Sequence, residues 1–340
     1  MTQDVVQAFR PARNRQWLLA SRPAGQVEPS NFRLVDAAIP TPQDGQALIK
    51  VHYLSLDPYM RGRMDDAKSY APPQKLDEVM VGGTVGEVVE SKTDALARGQ
   101  MVVGMGGWQE YFVSDARSVK PIDTTQIPAS AYLGTVGMPG VTAWYGLLQI
   151  GKPKAGETVV VSAASGAVGS VVGQLAKIHG CRAVGFAGGP AKCEYVTREL
   201  GFDACIDYKS ADAKAAFQAA TGGGVDIVFE NVGGNVLNMS LSRMNTGGRI
   251  AVCGLIAGYD GQDIAIRNVR SILVNRLTVT GFIVSDHTAV WPQALAELAQ
   301  HVALGRIKYR ESIASGIESA PRAFMGLLKG ENFGKQLVKL

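Results

Sequence analysis

E-T-V-V-V-S-A-A-S-G-A-V-G-S (157–170) is the stretch that decides the fold of this 340-residue chain. Its first seven residues are a largely apolar, β-branched run, which predicts a strand buried on both faces. The strand runs into Ala164, Gly166 and Gly169, an A-x-G-x-x-G form of the turn that seats a dinucleotide pyrophosphate between strand and helix. Without a Cβ, Gly166 lets backbone amides approach the phosphates, and Gly169 allows close helix–strand packing. A helix expected from about Val168 to His179 adds free N–H groups and the positive end of its dipole.

Outward from this turn the pattern repeats. Strands are expected at R-A-V-G-F-A (182–187), D-A-C-I-D-Y (203–208), V-D-I-V-F-E-N-V (225–232), R-I-A-V-C-G (249–254) and L-T-V-T-G-F-I-V (277–284), with a helix at 191–200 that stops at Gly201. Near-continuous apolar strands alternating with helices indicate a parallel sheet covered on both faces, the doubly wound α/β arrangement. Sites for NAD place an acid at the end of the second strand to hold the ribose hydroxyls. This chain has A-G-G-P-A-K (187–192) there, with no carboxylate. Taken alone, Lys192 reads as a solvated first-turn lysine; beside the missing acid it reads as a partner for a 2′-phosphate. Tyr208 adds a hydroxyl donor after the third strand, and together these favour NADPH.

The first ~125 residues read differently. Q-A-L-I-K-V-H-Y-L-S-L (46–56), V-M-V-G-G-T-V-G-E-V-V-E (79–90), M-V-V-G-M (101–105) and Q-E-Y-F-V (109–113) are short β segments with Gly-rich corners, which argue for a compact barrel-like domain. The last ~35 residues carry a strand expected at I-K-Y-R (307–310), a helix at 320–329 and a terminal strand at 335–340. Whether they return to the first domain is left open by these patterns.

Composition narrows the function class. The net charge of +4 is spread without a basic block or acidic tail, so nucleic acid and membrane surfaces are not expected partners. No apolar run reaches 18 residues, and M-T-Q-D-V-V-Q-A-F-R (1–10) lacks the apolar centre of a signal peptide. Cys181, Cys193, Cys205 and Cys253 form no C-x-x-C pair or zinc spacing; they read as small buried hydrophobes in a reducing compartment, so a cytoplasmic location is expected.

Catalytic zinc needs a Cys/His/carboxylate set, and the first ~150 residues hold no cysteine and only His52, which reads as a strand residue. A Y-x-x-x-K proton relay is not found on a suitable helix. Metal-free hydride transfer remains, with a hydroxyl steadying the developing oxyanion.

Six strings then make a resemblance specific: L-S-L-D-P-Y-M-R-G-R-M (54–64), G-M-P-G-V-T-A-W (137–144), A-A-S-G-A-V-G-S-V-V-G-Q (163–174), E-N-V-G-G (230–234), C-G-L-I-A-G-Y (253–259) and F-M-G-L-L-K-G-E-N-F-G-K (324–335). In this order the chain, from about residue 15 to its end, resembles the zinc-independent medium-chain dehydrogenases/reductases, in the branch of prostaglandin, alkenal double-bond and curcumin reductases. The resemblance implies a GroES-like β-barrel-type catalytic domain over 1–130 completed by 305–340, and a Rossmann NADPH-binding domain over 131–304. It implies that Gly166, Ala167, Val168, Gly169 and Ser170 hold the pyrophosphate, with Lys192 and Tyr208 at the 2′-phosphate. Asn231 is implied along the cofactor, where the family more often has an aspartate at the position of Glu230. Met138 and Thr142 are implied near the nicotinamide, Cys253, Gly254 and Tyr259 with Phe282, Ile283 and Val284 around its ribose and ring, and Asn332 from the C-terminal return.

The implied reaction adds hydride to the β-carbon of an α,β-unsaturated ketone or aldehyde. Tyr259 and the cofactor's ribose hydroxyl are expected to steady the enolate, and Tyr53 and Tyr59 to line the cleft for flat conjugated substrates. Tyr53 reads equally well as core; Trp108, Tyr111 and Trp291 read as packing residues, and S-D-H-T (285–288) matches nothing in the family. A quinone oxidoreductase is the nearest alternative, and a non-catalytic NADPH-binding protein a second. The family usually forms a dimer through cofactor-domain strands, and the run at 277–284 suits such pairing.

Overall fold

The computed structural model describes residues 13–260 and 263–340; the N-terminal segment read above for a signal peptide lies outside the described residues. An antiparallel pair, β1 (Asn14–Leu19) and β2 (Phe32–Ala37), comes first. Then follow β3 (Gln46–Ser55), a short helix α1 (Tyr59–Arg63), β4 (Thr84–Ser91), β5 (Met101–Gly104), β6 (Tyr111–Asp115) and β7 (Val119–Pro121). β3 and β4 pair with two register shifts, which bend the sheet. At Gly86 the strands are so close that a Cβ would lie 2.3 Å from the Lys50 carbonyl oxygen, so the glycine is obligatory there.

Helix α2 (Met138–Trp144) runs on into a π-turn at Tyr145–Gly151 and leads to the second sheet. Strand and helix then alternate: β8 (Thr158–Val161), α3 (Gly169–Ile178), β9 (Arg182–Ala187), α4 (Pro190–Arg198), β10 (Ala204–Asp207), α5 (Ala213–Ala220), β11 (Val225–Glu230), α6 (Gly234–Leu241) and β12 (Met244–Val252). After α7 (Arg270–Val274), β13 (Thr278–Gly281) and α8 (Trp291–Ala303), the chain closes with β14 (Glu311–Ser315), α9 (Ala320–Leu328) and β15 (Lys335–Lys339).

The second sheet has the order β10-β9-β8-β11-β12-β13, every pair parallel. This is the doubly wound Rossmann order, and its reversal between β8 and β11 opens a crevice at their carboxyl ends. Alternate residues serve opposite faces, as the two-residue strand period dictates. Val159, Val161, Ala183, Ile227, Phe229 and Ala251 pack with α2, α3 and α8; Val160, Val184, Phe186, Ile206, Val228 and Ile250 pack with α5 and α6.

The barrel-type sheet runs β14-β15-β3-β4-β5-β7, with β6 also paired to β3. β15 lies parallel to β14 and antiparallel to β3, so the last strand is built into the sheet of the first. Trp108 is fully buried, stacked on Phe32 with centroids 5.4 Å apart and edge-on to Phe324 of α9 at 5.5 Å. It is the packing residue its sequence context suggested.

Two sequence expectations shift. The strand expected at 307–310 forms instead at 311–315, because the backbone of Lys308 is engaged elsewhere: its N–H donates to the Gln174 side chain and its carbonyl accepts from it, each at 2.8 Å. β4 begins at Thr84 rather than Val79, since Met80 bonds to Trp17 and Trp108. The β1–β2 pair carried no clear alternation and was not expected. Among the described residues no helix is long and apolar enough to cross a membrane.

α3 meets Phe202 at Gly173, where an added Cβ would lie 1.8 Å from the ring. Gly173→Ala is expected to lower the unfolding free energy by about 1–3 kcal/mol through overpacking, although alanine gains ~1 kcal/mol in helix propensity. Urea denaturation measures this; a variant as stable as the parent would show that the ring moves aside freely.

Candidate active site

One cleft of about 1820 Å³ draws its walls from both sheets, from Ser55, Tyr59 and Val103 on one side to Gly166, Asn231 and Phe282 on the other. That exceeds the few hundred to ~1,000 Å³ of a typical small-ligand pocket, and leaves room for a dinucleotide and a second molecule.

The phosphate turn follows β8. Ala163 takes a positive φ of 50°, and Gly166 N–H returns to the Ala163 carbonyl at 2.9 Å, so the chain reverses sharply before α3. Gly169 packs where a Cβ would sit 2.4 Å from that same carbonyl oxygen. Among the described residues no backbone carbonyl takes the N–H of Ala167, Val168 or Gly169, and all three residues line the cleft. A helix start with unspent N–H groups fits a pyrophosphate. Ser170 departs from the expectation: it is 4% exposed, is not part of the wall, and its N–H is spent on Gly166 O at 3.0 Å.

At the far end, the A-G-G turn brings Lys192, Tyr208 and Lys209 to the wall. Tyr208 is 45% exposed, and its hydroxyl would stand 3.0 Å from a Cβ at Gly188, so only glycine leaves it there. Burial and then the charge of Lys209 hold the Lys192 ammonium below its usual range. Among the described residues neither lysine is paired with a carboxylate. Two cations under mutual strain beside a free phenol fit a phosphate dianion. Lys192 Nζ donates to Gly330 O at 2.6 Å, which draws the C-terminal return over this end. Asn332 lines the cleft there, its amide nitrogen donating to Gly334 O at 2.7 Å.

Between these ends lies the E-N-V-G-G segment after β11. Glu230 is completely buried, and its Oε1 accepts from Ser162 Oγ at 2.8 Å, Val232 N–H at 2.6 Å and Gly233 N–H at 2.8 Å. Burial pushes its carboxyl up against the pull of those donors. Asn231 is tied to Ser162 through both its backbone N–H and its side-chain amide, at 2.7 and 2.8 Å.

The opposite end is aromatic, with Arg63 beside its phenols. Tyr259 stands in a short turn, Ile256–Asp260, and its phenol is raised first by burial and then by Tyr70 and Cys253. Tyr59 opens α1 on the facing wall, its phenol also raised by burial and by Asp57. Cys253, pushed up to about 12 by burial and by Glu230, is no nucleophile at neutral pH. Met138, Thr142, Gly254, Phe282, Ile283 and Val284 complete the wall, and the Thr142 hydroxyl is occupied by Met138 O at 2.8 Å.

Tyr53 is the second departure. It sits in β3 beside Val85, Leu133 and Leu337, two residues short of Ser55, where the strand reaches the cleft. The wall also holds residues that the sequence reading passed over. Tyr70 and Arg63 carried no periodic signal. Lys209 stood beside Tyr208 and was visible as a second cation. Trp291, read as structural, lines the cleft while donating to Val284 O at 3.2 Å. From the unmatched S-D-H-T run, Ser285 reaches the wall and His287 stacks on Tyr145 at 4.1 Å.

Two family models match, described as the N-terminal domain of oxidoreductase over residues 15–122 and as zinc-binding dehydrogenase over 167–300. Over 336 residues the chain is 47% identical to NADPH-dependent curcumin reductase of Escherichia coli (strain K12), covering 96% of this chain and 97% of that one. The chain belongs to the medium-chain dehydrogenases/reductases. Its branch is that of the curcumin, prostaglandin and 2-alkenal reductases. It is 41% identical to rat (Rattus norvegicus) prostaglandin reductase 1, over 96% of this chain and 98% of the relative. Among solved structures, CurA of Vibrio vulnificus in complex with NADPH superposes with a TM-score of 0.91 at 47% identity, covering 96% and 98% of the two chains. No group of three or more His, Cys, Asp or Glu able to hold a metal ion is found among the described residues of this family member.

Glu230→Ala is expected to raise the KM for the dinucleotide at least ~10-fold, since it frees three donors and a buried cavity beneath Asn231. Glu230→Gln, which keeps the accepting oxygen, should stay within a few-fold. Equal KM values for alanine and glutamine variants would remove the carboxyl oxygen from this role.

Proposed function

We propose that this chain is an NADPH-dependent reductase that delivers hydride to the β-carbon of α,β-unsaturated ketones and aldehydes. The observation that carries the reading is one continuous cleft with a phosphate cradle and two lysines, free of carboxylate partners among the described residues, at one end and the phenols of Tyr259, Tyr59 and Tyr70 at the other. The named functions of the relatives agree with it: curcumin, prostaglandin and 2-alkenal reductases.

The chain's own part is binding, orientation and charge stabilisation. Ala167, Val168 and Gly169 hold the pyrophosphate, Lys192 and Tyr208 the 2′-phosphate, and Asn231 and Asn332 the cofactor's length between. When bound, NADPH would supply the hydride and a ribose hydroxyl able to donate a further hydrogen bond. As the β-carbon is reduced, negative charge builds on the carbonyl oxygen, and Tyr259 O–H donates to it. Because burial raises this phenol, it stays protonated above the ordinary ~10 of tyrosine. Its donor role therefore persists through neutral and moderately alkaline pH. Tyr59 and the Phe282–Val284 segment form flat, largely apolar walls suited to a conjugated chain. The proton that completes the α-carbon comes from Tyr259 or water.

We further propose that the chain works as two domains, 1–130 completed by 305–340 and 131–304, and acts in the cytoplasm, where its free cysteines are stable. Homodimerisation through the cofactor domain is supported by the free edge of β13. There Leu273 is 79% exposed, and Val269, Val274, Val279 and Ile266 are also uncovered. A sheet edge flanked by an apolar patch favours pairing with a second copy.

The first test is cofactor oxidation with a simple aliphatic enone, run with NADPH and NADH on the parent and on Tyr259→Phe. The expected result is enone-dependent oxidation preferring NADPH, cut at least ~10-fold in the variant, a loss of ~1.4 kcal/mol of transition-state stabilisation. Activity on a benzoquinone with none on the enone would replace this reading with quinone reduction. Full activity of the variant would move the oxyanion donor elsewhere. For the assembly, sedimentation of Leu273→Asp is expected to yield monomers where the parent sediments as a dimer; a parent already monomeric would refute the pairing.

A further inference from the structure

The thiols of Cys193 and Cys205 touch, Sγ to Sγ 3.1 Å, across the contact between α4 and β10. Both are free and half-buried, and neither lines the catalytic cleft. The sulfurs need to close by only about 1 Å to reach a disulfide bond of ~2.05 Å.

The surroundings make that closure consequential. α4 opens immediately after Gly189, whose N–H donates to Asp207 Oδ1 at 2.8 Å; the same oxygen accepts Lys209 N–H at 3.0 Å. Asp207 lies two residues past Cys205 at the end of β10, so the start of the helix is already clipped once to that strand. A second, covalent clip at Cys193 fixes the first turn of α4 at two points. Lys192 is next to Cys193, and Tyr208 is three residues beyond Cys205.

We infer that Cys193 and Cys205 form an oxidisable dithiol whose closure to a disulfide draws the first turn of α4 toward β10 and so displaces Lys192 from its position at the adenosine 2′-phosphate of NADPH. The second half rests on the assignment of Lys192 and Tyr208 to that phosphate.

Cys193 is the attacking sulfur. The Cys205 thiol donates to it and outweighs the effect of burial, holding Cys193 below the usual thiol range, while Cys205 is raised by the same contact and by burial. With hydrogen peroxide as oxidant, the Cys193 thiolate attacks one oxygen; the S–O bond forms, the O–O bond breaks, and hydroxide leaves and is protonated to water. With Cys193 oxidised, the charge on that sulfur that raised Cys205 is gone. The Cys205 thiol gives up its proton, its thiolate attacks the sulfenic Sγ of Cys193, the S–S bond forms, the S–O bond breaks, and the departing hydroxide takes that proton as a second water. Two thiols and one peroxide give one disulfide and two waters, a two-electron oxidation that a dithiol reductant reverses.

The test treats the full-length reduced enzyme with hydrogen peroxide, then removes the oxidant. Non-reducing peptide mapping is expected to show one cross-link joining the Cys193 and Cys205 peptides, with loss of two titratable thiols per chain and full recovery in dithiothreitol. Cys193→Ser and Cys205→Ser should each keep the activity of the reduced enzyme and abolish the response. With the cross-link in place, the KM for NADPH should rise at least about threefold while that for NADH, which lacks the 2′-phosphate, stays unchanged. Added oxygens without a cross-link would overturn the dithiol. A cross-link that leaves both KM values alone, or moves them equally, would overturn its coupling to Lys192. Lys192→Ala in the reduced enzyme separates the underlying assignment: if that variant keeps the parent's NADPH preference, the 2′-phosphate reading itself fails, and the cross-link result stands independently of it.

Discussion

The buried pair of Lys335 and Asp57 fixes the last strand in the first sheet, right beside the point where the chain touches the phosphate turn of the second. Their side chains are 5% and 8% exposed and meet at 2.7 Å. The ammonium also donates to Leu56 O at 2.8 Å, and the second carboxylate oxygen accepts from the Ser55 hydroxyl. Taking two charges out of water costs several kcal/mol per ion, and a well-packed apolar pair of similar volume is often as stable. What the ion pair contributes is position. It fixes β15 between β14 and β3, beside the cleft, and the residue before it, Gly334, bridges to Gly166 of the phosphate turn through Gly334 N–H and Ser165 O at 3.1 Å. The last strand of the chain therefore belongs to one sheet while the glycine that precedes it braces the turn that opens the other.

From that junction the cleft divides by charge. One end gathers Lys192 and Lys209, which have no carboxylate ion pair among the described residues, a local positive charge suited to an anion. The other end gathers phenols raised by burial. The nearby acids are already occupied: Glu230 by three donors, Asp57 by Lys335, and Asp207 by the backbone of Gly189 and Lys209. A negatively charged carrier with a flat, conjugated partner meets each end with its complement. The same arrangement explains why no special tuning of Tyr259 is required, since a donor phenol needs its proton and burial helps it keep that proton.

How much of this was legible follows from the range of each signal. The parallel sheet was readable because β8, β9 and β11 are buried on both faces and so write themselves as unbroken apolar runs. The turn at 164–170 was readable because two glycines are demanded by close approach. The 311–315 strand was misplaced because what breaks 307–310 is Gln174, more than a hundred residues earlier in the chain. Tyr53 and Tyr70 show the same limit in opposite senses. The first lies in a strand that points at the cleft but ends two residues too late for it; the second stands in a loop with no pattern. Ser170 sat inside a correct motif, yet its N–H closes the turn instead of facing outward. The contact between Cys193 and Cys205, twelve positions apart, gave no local sign at all, since a helix and the next strand must both be placed before the sulfurs meet.

One further dependence runs through the site as a line of hydrogen bonds. Ser162, at the end of β8, donates to Glu230; Glu230 holds the N–H groups of Val232 and Gly233. The carbonyls of Asn231 and Val232 in turn accept from Ile256 and Ala257, each at 3.1 Å, and these two residues open the turn that carries Tyr259. Tyr259, the proposed oxyanion donor, is thus held by the segment proposed to lie along the dinucleotide and not by its own loop alone. The Glu230 carboxyl reaches both backbone donors through the same oxygen and leaves the other oxygen without a partner among the described residues. The segment proposed to hold the carrier and the turn that carries the phenol are therefore tied together through one buried side chain.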